Sequence, residues 1–416
     1  MNRTRWSAWC LFVASGCVTD VEGVHESALG EKREAIIYGE DDRKDVFEHP
    51  DVMWRDRVNN SVVALIPPRL LQRPTNGLVT ITADTLKGAY GLCDGERFAE
   101  QPAGADCSAT LIDEDLVLTA GHCFEDGQRC DVYAYAFDYF YREEGKLETM
   151  TAADVYGCRD ILVRRVSARS SVSQIDYAIV QLDRPALAPR KPATLSKGVL
   201  TRGEPVVALG FTSGVPAKID TGAEIIDPRS GSLDYFKLNS DTFAGSSGSG
   251  LFDTKGELVG VLVRGGEDYV DDLERGCKVA TRVATGEDGS PWEQGTYAQQ
   301  AIDALCESGW PSQVLCGIAP RCGDGFCTMD EVAGSCPTDC IASCDDPPCS
   351  KTQLPELVVG EPAAPYVDAG IADGGETLPS DKAKGCSATQ RPAQPGSLWL
   401  ALPLAALLCG RRHRRR

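Results

Sequence analysis

The sequence predicts an all-β domain closed by one helix, and three observations carry that expectation. Short β-branched and apolar runs recur at 61–66, 116–119, 178–182, 205–209 and 257–263, separated by Gly, Pro and Asp. Short strands with frequent turn signals are the pattern of a sandwich or barrel. The stretch 296–305 (Thr-Tyr-Ala-Gln-Gln-Ala-Ile-Asp-Ala-Leu) is the clearest helical segment and follows the last of these runs. Cysteine is the third signal. Of 18, Cys10, Cys17, Cys386 and Cys409 lie in the terminal segments, and 14 remain between Cys93 and Cys349. An even, dense set reads as disulfides in an oxidising compartment. Zinc is disfavoured, because no Cys-x-x-Cys pair occurs and the chain has only four histidines.

Taken from the N-terminus, residues 1–17 read as a secretory signal. Arg3 and Arg5 precede the apolar run 9–14 and then small residues. Ala14-Ser15-Gly16-Cys17 resembles a bacterial lipobox, which would place a lipid on Cys17 instead of simple cleavage. Residues 18–35 are polar and read as a propeptide or tether. The strand-rich domain occupies 36–308. Residues 309–350 form a cysteine-rich module too small for an apolar core of its own. Its acidic residues Asp324, Asp330, Glu331 and Asp339 read as solvated rather than as a calcium site, and neither metal nor cofactor is expected. Residues 351–385, rich in Pro, Gly, Ala and acids, read as a disordered spacer.

At the C-terminus the apolar run 398–408 is followed by Arg411, Arg412 and Arg414-Arg415-Arg416. The run is shorter than the ~20 residues of a comfortable membrane span. With Gly385-Cys386 before it, the segment 386–416 resembles a myxobacterial C-terminal sorting tail. That resemblance implies an exported protein, extracellular or attached to the outer membrane of a Gram-negative bacterium. The net charge of −19 excludes the basic surface that nucleic-acid binding requires.

The stretch 241–250 (Asp-Thr-Phe-Ala-Gly-Ser-Ser-Gly-Ser-Gly) reads locally either as a linker or as a sharp turn presenting one serine. A serine nucleophile needs a base, and histidine is the usual one near neutral pH. His25 lies in the leader, His413 in the basic tail, and His49 in a Pro- and Asp-rich stretch. His122 differs from these. It ends a hairpin-like pattern in Thr119-Ala120-Gly121-His122-Cys123, with Cys107 upstream.

Together these segments resemble the chymotrypsin-fold (trypsin-like) serine endopeptidases, in particular the bacterial glutamyl-endopeptidase-like branch. The resemblance spans about 36–306 and includes the loop Gly210-Phe211-Thr212-Ser213-Gly214-Val215-Pro216-Ala217-Lys218. It implies two six-stranded antiparallel β-barrels with a C-terminal helix, and a Cys107–Cys123 disulfide beside the histidine. It implies His122 as base, Asp176 (in Ile175-Asp176-Tyr177-Ala178) as the carboxylate orienting it, and Ser247 as nucleophile. Asp183, at the far end of the same strand, is the competing carboxylate and reads as a turn residue. The backbone N–H groups of Gly245 and Ser247 would form the oxyanion hole. The order His, Asp, Ser differs from that of α/β-hydrolases, which disfavours an esterase on that fold.

Two departures bear on regulation and specificity. Ser246 stands where trypsin-like zymogens keep an aspartate for the new N-terminus, so Ile36-Ile37-Tyr38-Gly39 has no obvious acceptor there. Asp241, six residues before Ser247, falls at the position of the specificity-pocket floor, beside Thr242. Val263-Arg264-Gly265 would pair with the substrate backbone. Val279-Ala280-Thr281-Arg282-Val283 resembles the family's last strand, which would place Lys278 at the pocket wall, able to neutralise Asp241. The histidine of glutamate-specific members has no counterpart near Leu262, and the preferred side chain stays open. The expected partners are protein or peptide substrates. The alternative reading is a catalytically silent homologue serving as a surface adhesion protein.

Overall fold

The computed structural model describes residues 37–73, 77–125, 128–168, 170–283, 292–318 and 322–323. The expected signal, propeptide, spacer and C-terminal tail lie outside the described residues, as does the cysteine-rich module beyond 309–318 and 322–323. Seven strands build the first sheet: β1 (Val62–Ile66), β2 (Cys107–Leu111), β3 (Leu116–Thr119), β4 (Ala134–Ala136), β5 (Val155–Tyr156), β6 (Cys158–Val166) and β7 (Asp176–Leu182). They pair antiparallel in the order β5-β4-β1-β2-β3-β7-β6. β5 and β6 are successive pieces of one segment parted by Gly157, so both sheet edges belong to the same stretch and the sheet curls into a half-barrel. A side chain at Gly157 would meet the Asp183 carboxylate at 3.0 Å. Asp183 itself pairs with Arg184 at 2.9 Å, at the end of β7 opposite Asp176.

The second sheet closes. β8 (Pro205–Gly210), β9 (Lys218–Asp227), β10 (Tyr235–Leu238), β11 (Gly250–Phe252), β12 (Leu258–Arg264) and β13 (Glu293–Tyr297) run β8-β11-β12-β13-β10-β9, and β9 returns to β8. Every one of these ladders is antiparallel. The chymotrypsin-like all-β fold is thus present as one closed six-stranded barrel and one half-barrel. Of the two expected barrels, only the C-terminal one is sealed by a continuous ladder.

Helix α1 (Val52–Ser61) starts at Asp51, whose side chain accepts from the Met53 amide, and turns Trp54 edge-on to Phe252 of the second barrel. Helix α2 (Ala298–Glu307) buries Ala298, Ala301, Ile302 and Leu305. That i, i+3, i+4, i+7 spacing forms one apolar stripe, and each fully buried Leu or Ile contributes about 1.5–3 kcal/mol. The stripe lies against β6, β7 and β12, so the helix clamps both barrels. The helix begins two residues later than the sequence pattern starts, because Thr296 and Tyr297 pair with β10 and β12 as strand. Both side chains suit a strand, and the ladder takes them.

Four disulfides occur among the described residues: Cys93–Cys277, Cys107–Cys123, Cys130–Cys158 and Cys306–Cys316. The last crosses the boundary expected after residue 308. Trp310 is buried in the core, and Ser312 Oγ donates to Asp113 at 2.5 Å. Residues 309–318 therefore continue the barrel domain.

Candidate active site

Strand β3 ends at Thr119, and the chain turns through a short 3-10 segment, Gly121–Cys123, that carries His122. Gly121 has to be glycine. A Cβ there would sit 2.6 Å from the Tyr177 carbonyl and 2.7 Å from that of Arg165. Arg164 stiffens the same turn by donating to the Gly121 and Phe124 carbonyls at 2.8 and 2.6 Å. The Cys107–Cys123 bridge ties its far side to β2.

Asp176, the first residue of β7, is 1% exposed and meets this turn twice. Its Oδ1 accepts from the His122 amide at 3.1 Å, and its Oδ2 lies 2.9 Å from His122 Nδ1. The other imidazole nitrogen, Nε2, lies 2.8 Å from Ser247 Oγ. Carboxylate, imidazole and hydroxyl thus form one hydrogen-bonded line, buried at the carboxylate and open at the hydroxyl. Asp183, at the other end of β7, takes no part in it.

Ser247 stands in the turn between β10 and β11. Gly245 and Gly248 hold φ at 88° and 89°, in the left-handed region that favours glycine. A Cβ on Gly245 would strike Gly214 N at 2.6 Å and Phe211 O at 2.7 Å. The loop joining β8 to β9 is therefore the wall behind the serine turn. Ser246 is buried and closes the turn on itself, its amide donating to Phe243 O at 2.9 Å. Among the described residues, the amides of Gly245 and Ser247 make no backbone hydrogen bond.

Ser108 is a positioning residue that sequence reasoning missed. Its amide donates to Ser247 O at 2.7 Å, its Oγ donates to Gly245 O at 2.9 Å, and the same Oγ accepts from Phe211 N at 3.0 Å. One residue of the half-barrel, through its amide and its side chain together, thus fixes peptide planes on both sides of the serine turn. Its only signal in the sequence was its place next to Cys107.

A cleft of about 340 Å³ opens beside Ser247 and His122. Thr242, Val263, Arg264 and Gly265 line it. The Arg264 side chain turns inward, donating to the carbonyls of Gln174 and Ser167 at 2.9 Å each, with Asp176 Oδ2 at 3.7 Å.

Asp241 does not line this cleft, which corrects the expectation from counting back along the chain. It is 3% exposed and faces the N-terminal segment, where its carboxylate accepts from the amides of Tyr38 at 2.8 Å and Asp42 at 3.0 Å. Its own amide is drawn away from the cleft by Asp220 Oδ2 at 2.8 Å. Burial and the neighbouring Asp220 carboxylate push Asp241 up to about 7. The segment after Ile36 (itself outside the described residues) is therefore held at Asp241, not at the residue preceding Ser247. Lys278 is also displaced from its expected place. It sits in a two-stranded ribbon with its partner Asp271 and does not line the cleft. Of the strands after β12, it is β13 that reaches the cleft, through Glu293.

Two carboxylates without a motif occupy the cleft instead: Glu293, at the start of β13, and Asp268. Glu293 is 2% exposed and its Oε2 accepts from Thr242 Oγ1 at 3.0 Å. Asp268 accepts from the Ala244 amide at 2.7 Å. Burial raises Glu293 well above the ordinary carboxylate range and pushes Asp268 up to about 7. Among the described residues no group of three or more His, Cys, Asp or Glu is arranged to hold a metal ion.

A family model described as the trypsin-like peptidase domain matches residues 107–261, a span that holds His122, Asp176 and Ser247 and stops before Glu293. No curated protein matches the chain. A solved structure of Glu endopeptidase in complex with MPD matches 66% of this chain and 99% of that one, at 15% identity and a TM-score of 0.38. Over residues 107–261 the chain is similar to the trypsin-like peptidase domain.

Proposed function

We propose that the protein is an exported serine endopeptidase that hydrolyses peptide bonds through an acyl-enzyme. The observation that carries this reading is the unbroken line Asp176 Oδ2–His122 Nδ1 (2.9 Å) and His122 Nε2–Ser247 Oγ (2.8 Å), opening on a cleft. Ser247 Oγ attacks the scissile carbonyl while His122 Nε2 takes its proton. Asp176 holds the proton on Nδ1, keeping Nε2 free as the acceptor, and stabilises the imidazolium that forms. The amides of Gly245 and Ser247 receive the developing oxyanion, each such donor contributing roughly 10²–10³ in turnover. His122 then gives its proton to the leaving amine, and a water repeats the sequence to free the acid.

The substrate would lie extended along Val263-Arg264-Gly265. The serine turn holds β12 as far as Leu262, whose amide donates to Ser249 O and whose carbonyl accepts from Gly248 N, which leaves the edge from Val263 onward for added strand pairing. Four disulfides support an oxidising compartment. Export and surface attachment rest on the terminal segments and are part of the proposal. Labelling of the full chain with a fluorophosphonate tests the reading. Wild type should react and Ser247→Ala should not; labelling equal in the two would contradict it.

A further inference from the structure

Building on the peptidase reading, we propose that Glu293, seconded by Asp268, selects substrates with arginine or lysine on the acyl side of the cleaved bond. Glu293 lies in the same cleft as Ser247, beneath the substrate-pairing edge. The ladder between β12 and β13 pairs Leu262 with Gly295 and Arg264 with Gln294, which brings the head of β13 under Gly265. A Cβ on Gly265 would lie 2.6 Å from Glu293 Oε1, so the glycine leaves the carboxylate room directly below the edge. Thr242 Oγ1 donates to the other carboxylate oxygen and orients it.

Neither cleft carboxylate forms an ion pair among the described residues, and the cations nearby are committed elsewhere. Arg43 packs its guanidinium 4.2 Å from the Phe243 ring centroid and pairs with Asp41 at 2.7 Å. Arg264 is held by Gln174, Ser167 and Asp176. The other groups around Glu293 are acidic or neutral. Asp241 and the Tyr38 phenol lie behind it, and Glu267 adjoins Asp268. Burial keeps both cleft acids above their ordinary range, outweighing at Asp268 the opposing pull of the Arg43 charge. A guanidinium or ammonium entering the cleft supplies that charge, and a planar guanidinium can engage a carboxylate through two parallel hydrogen bonds. An acidic side chain entering there would meet like charge. Asp241, where a sequence count places the selector, is turned away and occupied.

The test is a panel of peptide amides differing only in the residue before the cleaved bond, assayed with the full chain and with Glu293→Gln. Wild type should prefer Arg and Lys over Glu and Leu. The substitution should lower kcat/KM for the Arg peptide by about 30- to 1,000-fold, the scale of losing one partner of a buried charge pair. Benzamidine should slow fluorophosphonate labelling of the wild type, a readout that stands even if Glu293→Gln does not fold. A preference for Glu or Leu, an Arg preference unchanged in folded Glu293→Gln, or labelling indifferent to benzamidine would overturn the assignment. Ser247-dependent labelling in the same samples separates the two ideas. Labelling without a basic preference refutes only the selector, whereas no labelling of wild type refutes the peptidase reading itself.

Discussion

Replacing Asp268 with asparagine should stabilise the fold at alkaline pH and leave it nearly unchanged in acid. Burial moves Asp268 from 3.8 up to about 7, so the folded chain holds this proton more tightly than the unfolded one. Stability at this site is therefore greatest below about pH 4 and declines as pH rises toward 7. The whole displacement corresponds to about 4 kcal/mol. Asp268 lines an open cleft, and solvent screening there reduces the figure to about 2 kcal/mol. Asparagine keeps a carbonyl oxygen for the Ala244 amide, so that hydrogen bond survives. Urea unfolding of wild type and Asp268→Asn, with disulfides intact, should give coincident stabilities near pH 4. The variant should then lead by about 2 kcal/mol at pH 8. Parallel pH profiles would show that Asp268 is not held in a site poor in counter-charge, and would weaken the physical case for a cation-accepting cleft.

Two further substitutions probe the line of polar groups. Asp176→Asn should lower kcat about 10⁴-fold with little change in KM, because an amide no longer fixes the proton on Nδ1; steady-state kinetics on one peptide substrate decide it, and a loss under tenfold would refute the orienting role. Ser108→Ala removes the acceptor of the Phe211 amide and the donor to Gly245 O, so thermal unfolding should show a loss of about 1–3 kcal/mol. An unchanged melting profile would show that the serine turn does not depend on this side chain.

Much of the site was legible because its chemistry is packed into short local patterns. His122 stands beside the cysteine of a disulfide, Asp176 opens an apolar strand, and Ser247 lies between glycines whose positive φ the turn requires. The selector proposed above had no such pattern. Glu293 is one of 61 acidic residues, and only the pairing of β12 with β13 places it under Gly265. Asp241 was misplaced for the opposite reason. A fixed count from the nucleophile puts it at the cleft, but its carboxylate is claimed by the amides of Tyr38 and Asp42, far upstream in sequence, contacts that no local spacing encodes. The fold class followed from strand and turn signals, whereas closure did not. Whether each sheet seals depends on register, visible at Gly157, where one bent segment supplies both edges of the half-barrel. Thr296 and Tyr297 show the same limit, since tertiary pairing draws into β13 two residues that open a helical pattern.

In the proposed mechanism Ser247 is a nucleophile activated by His122. The most direct measurement is intact-protein and peptide mass spectrometry of the full chain after reaction with a fluorophosphonate. One phosphonyl group per molecule should appear, on the peptide containing Ser247, and none after His122→Ala at the same exposure. An adduct on another residue, or labelling of Ser247 undiminished by His122→Ala, would contradict it.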